Sequence, residues 1–104
     1  KLVHDGVMRA VSYHQSEVFE AAQTFARTEG IIIAPETSHA VKAAIDQALE
    51  CRKTGEAKTI LFNCSGHGNF DMTAYDAFYA KKLVDYEYPD ELIKQSLARL
   101  PKIQ

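Results

Sequence analysis

Tryptophan is absent, cysteine occurs twice, proline three times, and neither sign of charge dominates the 104 residues. Each shortage excludes something. Cys51 and Cys64 form neither a CxxC pair nor a disulfide framework, which predicts a reduced, cytoplasmic setting. A net charge of −2, with the four histidines counted neutral, provides no field for a polyanion. The densest basic groups, Lys81-Lys82 and Arg52-Lys53, are too short for a nucleic-acid patch, so no nucleic-acid partner is expected. No apolar run approaches the ~18 residues of a membrane span, and no signal-peptide pattern is visible in these residues, so no membrane partner is expected either. There is no repeat, low-complexity tract or linker. The first residue is Lys1 rather than methionine, which suits a processed or partial chain.

What is present is ordinary in bulk and specific in detail. Apolar residues at 46% and charged residues at 25% describe a soluble globular sequence of one domain or part of one. A chain this long can bury roughly 65% of its unfolded surface, enough for a modest core. Val11 and Tyr13 in "MRAVSYHQ" (8–15) predict a short strand. Residues 15–30 place Val18, Phe19, Ala22, Phe25 and Ala26 at helical spacing, with Ser16 as N-cap and Gly30 as the stop. "GIIIAP" (30–35) predicts a short buried strand closed by Pro35. Over 37–55, Ala40, Val41, Ala44, Ile45, Ala48 and Leu49 share one helical face, Thr37 or Ser38 caps it, and Gly55 ends it.

"KTILFN" (58–63) predicts a second buried strand, "TAYDAFYAKKLV" (73–84) a helix with Ala74, Phe78 and Leu83 inward, and 90–100 a last amphipathic helix capped by Asp90. Short apolar strands alternating with amphipathic helices predict an α/β class: parallel strands belonging to a larger three-layer sheet domain, followed by carboxyl-terminal helices. Two or three strands would expose long apolar edges if nothing else joined them, which predicts a missing remainder.

Ligands of parallel α/β sheets collect at the carboxyl ends of strands. One such end is "IIIAPETSH", with Glu36, Thr37 and Ser38 at a helix start, and the other is "ILFNCSGHG", with Ser65 just past the run. A right-handed crossover between neighbouring strands would open both ends on one side, so that Glu36 and Ser65 face a common cavity. Alone, each feature has a plainer reading: a Thr/Ser cap, an ordinary Ser-Gly turn, a carboxylate favoured by the helix dipole. His39 and His67 suggest a metal, but no third ligand lies at helpful spacing, so no metal site is expected. His4 and His14 read as surface residues. "NCSGH" departs from G-x-S-x-G, with Asn63 where the first glycine belongs, and neither His39 nor His67 as base nor Asp71 as orienting acid has supporting spacing. A small hydrolase using Ser65 or Cys64 is therefore a minor alternative, with Cys64 better suited to packing than to reaction.

Taken together, Glu29-Gly30-Ile31-Ile32-Ile33-Ala34-Pro35-Glu36-Thr37-Ser38-His39 and, one helix later, Asn63-Cys64-Ser65-Gly66-His67-Gly68 resemble the tryptophan synthase β-chain family, in particular its second, β-like branch. Order and separation both match, and the resemblance extends over residues 9 to about 100. His67 stands where the main branch has arginine, Thr37 where serine is common, and Ile33 where proline is common.

The resemblance implies a pyridoxal 5'-phosphate enzyme of fold type II that makes L-tryptophan from L-serine and indole, with a second copy in a homodimer and an α chain as its partners. It implies that Ser65 contacts the cofactor's pyridine nitrogen, with Glu36 in the same pocket and Gly66 and Gly68 letting the backbone pass close to the ring. It also implies that residues 1–104 form the carboxyl-terminal segment of the catalytic fold. The Schiff-base lysine, the glycine-rich phosphate loop, the indole-site carboxylate and the monovalent-cation site would then lie upstream. No lysine here occupies a matching position, so no catalytic residue is expected in this chain and the isolated chain is expected to be inactive. The competing expectation is an independent α/β module that binds a ligand or a protein without catalysis.

Overall fold

The structure, a computed structural model, describes residues 1–101. Four helices are formed among them: α1 (Gln15–Glu29), α2 (Pro35–Thr54), α3 (Met72–Tyr79) and α4 (Asp90–Ala98). They fall into two compact units, Tyr13–Asp85 with α1 to α3, and a second that joins residues 1–12 to the stretch from Tyr86 onward.

α1 follows the predicted periodicity and ends at Gly30, whose left-handed backbone (φ 72°) lets its N–H reach back 3.0 Å to the Ala26 carbonyl. Its start differs from expectation. The N-cap is His14, whose N–H donates to the Glu17 carboxylate at 3.2 Å, and Ser16 lies inside the first turn. Ser16 is instead held from outside the helix. Asp85 accepts from both its backbone N–H and its hydroxyl, while Gln15 Nε2 donates to the Val84 carbonyl at 2.6 Å. A carboxylate at this position also meets the positive end of the helix dipole, and these two hydrogen bonds pull the Asp85 pKa below its ordinary value.

α2 starts two residues earlier than predicted because Pro35 occupies its first turn, where a missing N–H costs nothing. Ala34 is the N-cap, so Thr37 and Ser38 are buried first-turn residues rather than caps. Gly55 (φ 73°) ends α2 as expected. α3 is shorter than its pattern, closing at Tyr79, and α4 has Pro89 rather than Asp90 at its N-cap.

Val18, Phe19, Ala21 and Ala22 of α1, Ile33, Val41 of α2 and Tyr75 of α3 form the core. The Phe19 ring meets Tyr75 edge-on at 5.2 Å and stacks on Phe78 at 5.4 Å, and Phe25 meets Phe62 edge-on at 5.9 Å. Each large side chain so buried contributes about 1.5–3 kcal/mol.

The predicted parallel strands are not formed among the described residues. Their place is taken by irregular backbone with one isolated antiparallel bridge, Ile33 to His67. The physical reason is the lack of ladder partners: a parallel strand is held only by a neighbour's N–H and carbonyl groups. The stretch at 11–13 likewise forms no strand. The apolar runs still divide by side. Ile33 is fully buried and Phe62 packs on the core, whereas Leu61 between Ile60 and Phe62 is 95% exposed. In the second unit, α4 buries none of its residues.

Candidate functional site

The two motif-bearing segments meet backbone to backbone. Ala34 N–H donates to the Gly66 carbonyl and Gly68 N–H to the Ile32 carbonyl, both at 2.9 Å, on either side of the Ile33–His67 bridge. Gly68 permits this approach. A Cβ there would lie 2.4 Å from the Ile33 carbonyl oxygen and 2.9 Å from the Ile32 side chain. At Gly66 a Cβ would meet only the Ala34 Cβ, at an ordinary 3.6 Å. Close backbone approach is thus required of Gly68 by Ile33, a protein neighbour, whether or not a ligand is near.

α3 secures the same junction from the core side. Tyr75 is buried and its hydroxyl donates 2.6 Å to the Ile33 carbonyl. Burial raises the Tyr75 pKa, and a hydrogen bond with the Ser38 side chain opposes that rise. The phenol therefore stays protonated and able to donate. Ser38 belongs to the first strand end singled out in the sequence, whereas Tyr75 does not stand out there; a tyrosine on a short amphipathic helix was the available signal.

With the backbones fixed, Thr37 and Ser65 come together. Their hydroxyl oxygens are 2.9 Å apart, with Thr37 1% exposed and Ser65 open to solvent. Glu36, one residue earlier in α2, is exposed and lines a separate shallow pocket of about 320 Å³ with Gln15, Val18, Phe19, Pro35 and His39. The hydroxyl partner of Ser65 is Thr37, because α2 turns Thr37 inward where Glu36 stays at the surface. A second hollow, about 310 Å³, lies between α2 and the second apolar run, lined by Ala40, Ala44, Ile60, Leu61, Phe62 and Asn63.

The other sequence candidates stand apart. His67 accepts the Asn69 N–H at Nδ1 (3.3 Å) and lies 5.3 Å from the Phe70 ring. Cys64 is exposed and Cys51 half-buried. Asp71 caps α3 without a side-chain bond. No group of three His, Cys, Asp or Glu side chains gathers to hold a metal among the described residues. No helix among them is long and apolar enough to cross a membrane.

Chemically, the junction offers one outward hydroxyl on a fixed backbone, backed by a second, buried hydroxyl. It suits a ligand atom that exchanges a single hydrogen bond. The hydrogen bond of the Ser65 hydroxyl is shared with Thr37, a hydroxyl rather than a base.

No protein-family model matches the chain. Whole-protein relatives do. The chain is 62% identical over 85 residues to tryptophan synthase beta chain 2 of Aquifex aeolicus, a match covering 82% of this chain and 20% of the relative. It is 61% identical over 84 residues to tryptophan synthase beta chain 2 of Methanosarcina acetivorans, covering 81% and 19%. Against tryptophan synthase beta chain of Thermococcus onnurineus it is 57% identical over 91 residues, covering 88% and 20%. The chain spans about a fifth of the length of the curated relatives it matches. Across that fifth, where both motif segments and the hydroxyl pair reside, the chain belongs to the tryptophan synthase beta-chain family.

Proposed function

We propose that residues 1–104 are the carboxyl-terminal part of a pyridoxal-phosphate-dependent tryptophan synthase β-like chain, contributing the pyridine-nitrogen side of its cofactor pocket. The observation that carries this is the Ser65 hydroxyl, exposed and fixed 2.9 Å from Thr37 where the two family-like segments join. A single exposed hydroxyl suits a ring nitrogen, which needs one hydrogen-bond partner. When bound, pyridoxal phosphate supplies the electron sink for replacing the hydroxyl of L-serine by indole.

Ser65 tunes that sink. A carboxylate at its place would hold the ring nitrogen protonated, whereas a hydroxyl donates a hydrogen bond without yielding a full proton at neutral pH. Beside such a hydroxyl, bound pyridoxal phosphate would supply a weaker electron sink, one that would favour loss of the β-substituent over transamination. Gly66 and Gly68 line the approach to Ser65, and Glu36 adds a carboxylate at the start of α2. The Schiff-base lysine is supplied by further chain, so these residues alone are inactive. The apolar runs at 30–35 and 58–63 join the parallel sheet of the complete domain. The complete enzyme is a homodimer, with an α chain as a further partner.

The test is Ser65→Asp in a chimera where this chain replaces the matching segment of the Aquifex aeolicus relative. Transamination products rise relative to tryptophan. An unchanged product ratio overturns the assignment of Ser65.

A further inference from the structure

We propose that Thr37 is a positioning residue that fixes the direction of the Ser65 O–H, making Ser65 a donor toward whatever occupies the site. This deepens the reading of Ser65 given above and rests on it for the identity of the acceptor.

Two hydroxyls 2.9 Å apart share one hydrogen bond, and either can donate it. If Ser65 donates to Thr37, the Thr37 proton must go elsewhere, and Ser65 shows only lone pairs outward. If Thr37 donates to Ser65, the Ser65 proton is free to point outward. The surroundings of Thr37 decide between these. Its other acceptor is the Gly66 carbonyl, 3.5 Å away, at the outer limit of a hydrogen bond. That carbonyl already accepts the Ala34 N–H at 2.9 Å. Thr37 is 1% exposed, so water is not an alternative acceptor, and a buried hydroxyl left without an acceptor is costly. The short contact to Ser65 is where its proton goes.

Ser65, open to solvent, then directs its own O–H away from Thr37. The polarity matters for chemistry. A serine presenting lone pairs would suit a protonated ring nitrogen; one presenting O–H suits an unprotonated one. Thr37 is well built for this. Its branched Cβ restricts its rotamer in the first turn of α2, and the Ile33–His67 bridge and Tyr75 hold the facing backbone.

The first experiment needs no cofactor. In NMR spectra of this chain, the Thr37 hydroxyl proton exchanges slowly and shows a cross-peak to the Ser65 Hβ protons, while the Ser65 hydroxyl proton exchanges rapidly. A slowly exchanging Ser65 hydroxyl proton directed at Thr37 overturns the proposal. The second experiment uses the chimeric holoenzyme loaded with pyridoxal phosphate labelled with ¹⁵N in the ring. Thr37→Val shifts the ring-nitrogen resonance and weakens cofactor affinity about tenfold, and Thr37→Ser restores both. If Ser65→Ala shifts the resonance and Thr37→Val does not, the role of Thr37 fails while that of Ser65 stands. If Ser65→Ala leaves the resonance of bound cofactor unmoved, the contact of Ser65 with the ring fails first.

Discussion

Within Tyr13–Asp85, Val18, Phe19, Ile33 and Val41 are closed to solvent, whereas in the unit of residues 1–12 and 86 onward Val7 is 71% and Tyr86 71% exposed. Both stretches carry apolar residues at regular spacing, and α4 sets Leu92, Ile93 and Leu97 along its length. The difference lies in what each can find within itself. α1 and α2 pack on one another and on Ile33 and Tyr75, so their apolar faces make a core. α4 buries none of its residues among the described part of its unit, and a helical stripe without a partner stays a surface feature. Periodicity tells which side of a helix is apolar; burial depends on what is brought to it. The candidate site sits in the unit that has a core, and its geometry depends on that core.

Substitutions sharpen this contrast. The largest effect is expected for Gly68→Ala, where the new Cβ would fall 2.4 Å from the Ile33 carbonyl oxygen. Overpacking of this kind costs about 1–3 kcal/mol, and chemical denaturation should show it, with Gly66→Ala beside it nearly neutral. Equal losses from the two would contradict the role of Gly68 in joining the segments. Next comes Tyr75→Phe. It removes the 2.6 Å bond to the Ile33 carbonyl and should cost about 1–2 kcal/mol. Leu97→Ala in α4 should stay within about 0.5 kcal/mol, as befits a side chain 60% exposed. A loss equal to that of Tyr75→Phe would show that the second unit has a core of its own.

The smallest effect is electrostatic. Lys42 and Asp46 pair at 2.6 Å, one turn apart on α2. Their hydrogen bond is the main cause both of a lowered Asp46 pKa and of a raised Lys42 pKa. The contribution of Asp46 is therefore present above its unfolded pKa and lost as pH falls through its lower folded value. That of Lys42 is present below its unfolded pKa and lost as pH rises through its higher folded value. Solvent screens much of both. Asp46→Asn should flatten the acid side of the stability profile slightly; an unchanged profile would show the pair to be energetically silent.

The helices were legible because their signals are local. The apolar spacing of α1 and α2 and the stops at Gly30 and Gly55 depend on neighbours within a few residues. Their starts were less so: Ser16 reads as a cap, yet its partner Asp85 is remote in sequence. The strands expected at 30–35 and 58–63 depend on partners more distant still, and among the described residues only Ile33 and His67 form a bridge. The site was half legible. Ser65 is visible at the end of an apolar run, but Thr37 reads equally well as a cap, and only the folded backbone shows that α2 aims its hydroxyl at Ser65.

The most direct measurement is a visible absorbance titration of this chain with pyridoxal phosphate, followed by borohydride reduction and intact mass. The expected result is no stable, single-site adduct, because under the proposed function the chain supplies the ring-nitrogen side of the pocket and not the lysine. Stoichiometric trapping of one lysine would contradict that division and make this chain a cofactor-binding protein in its own right.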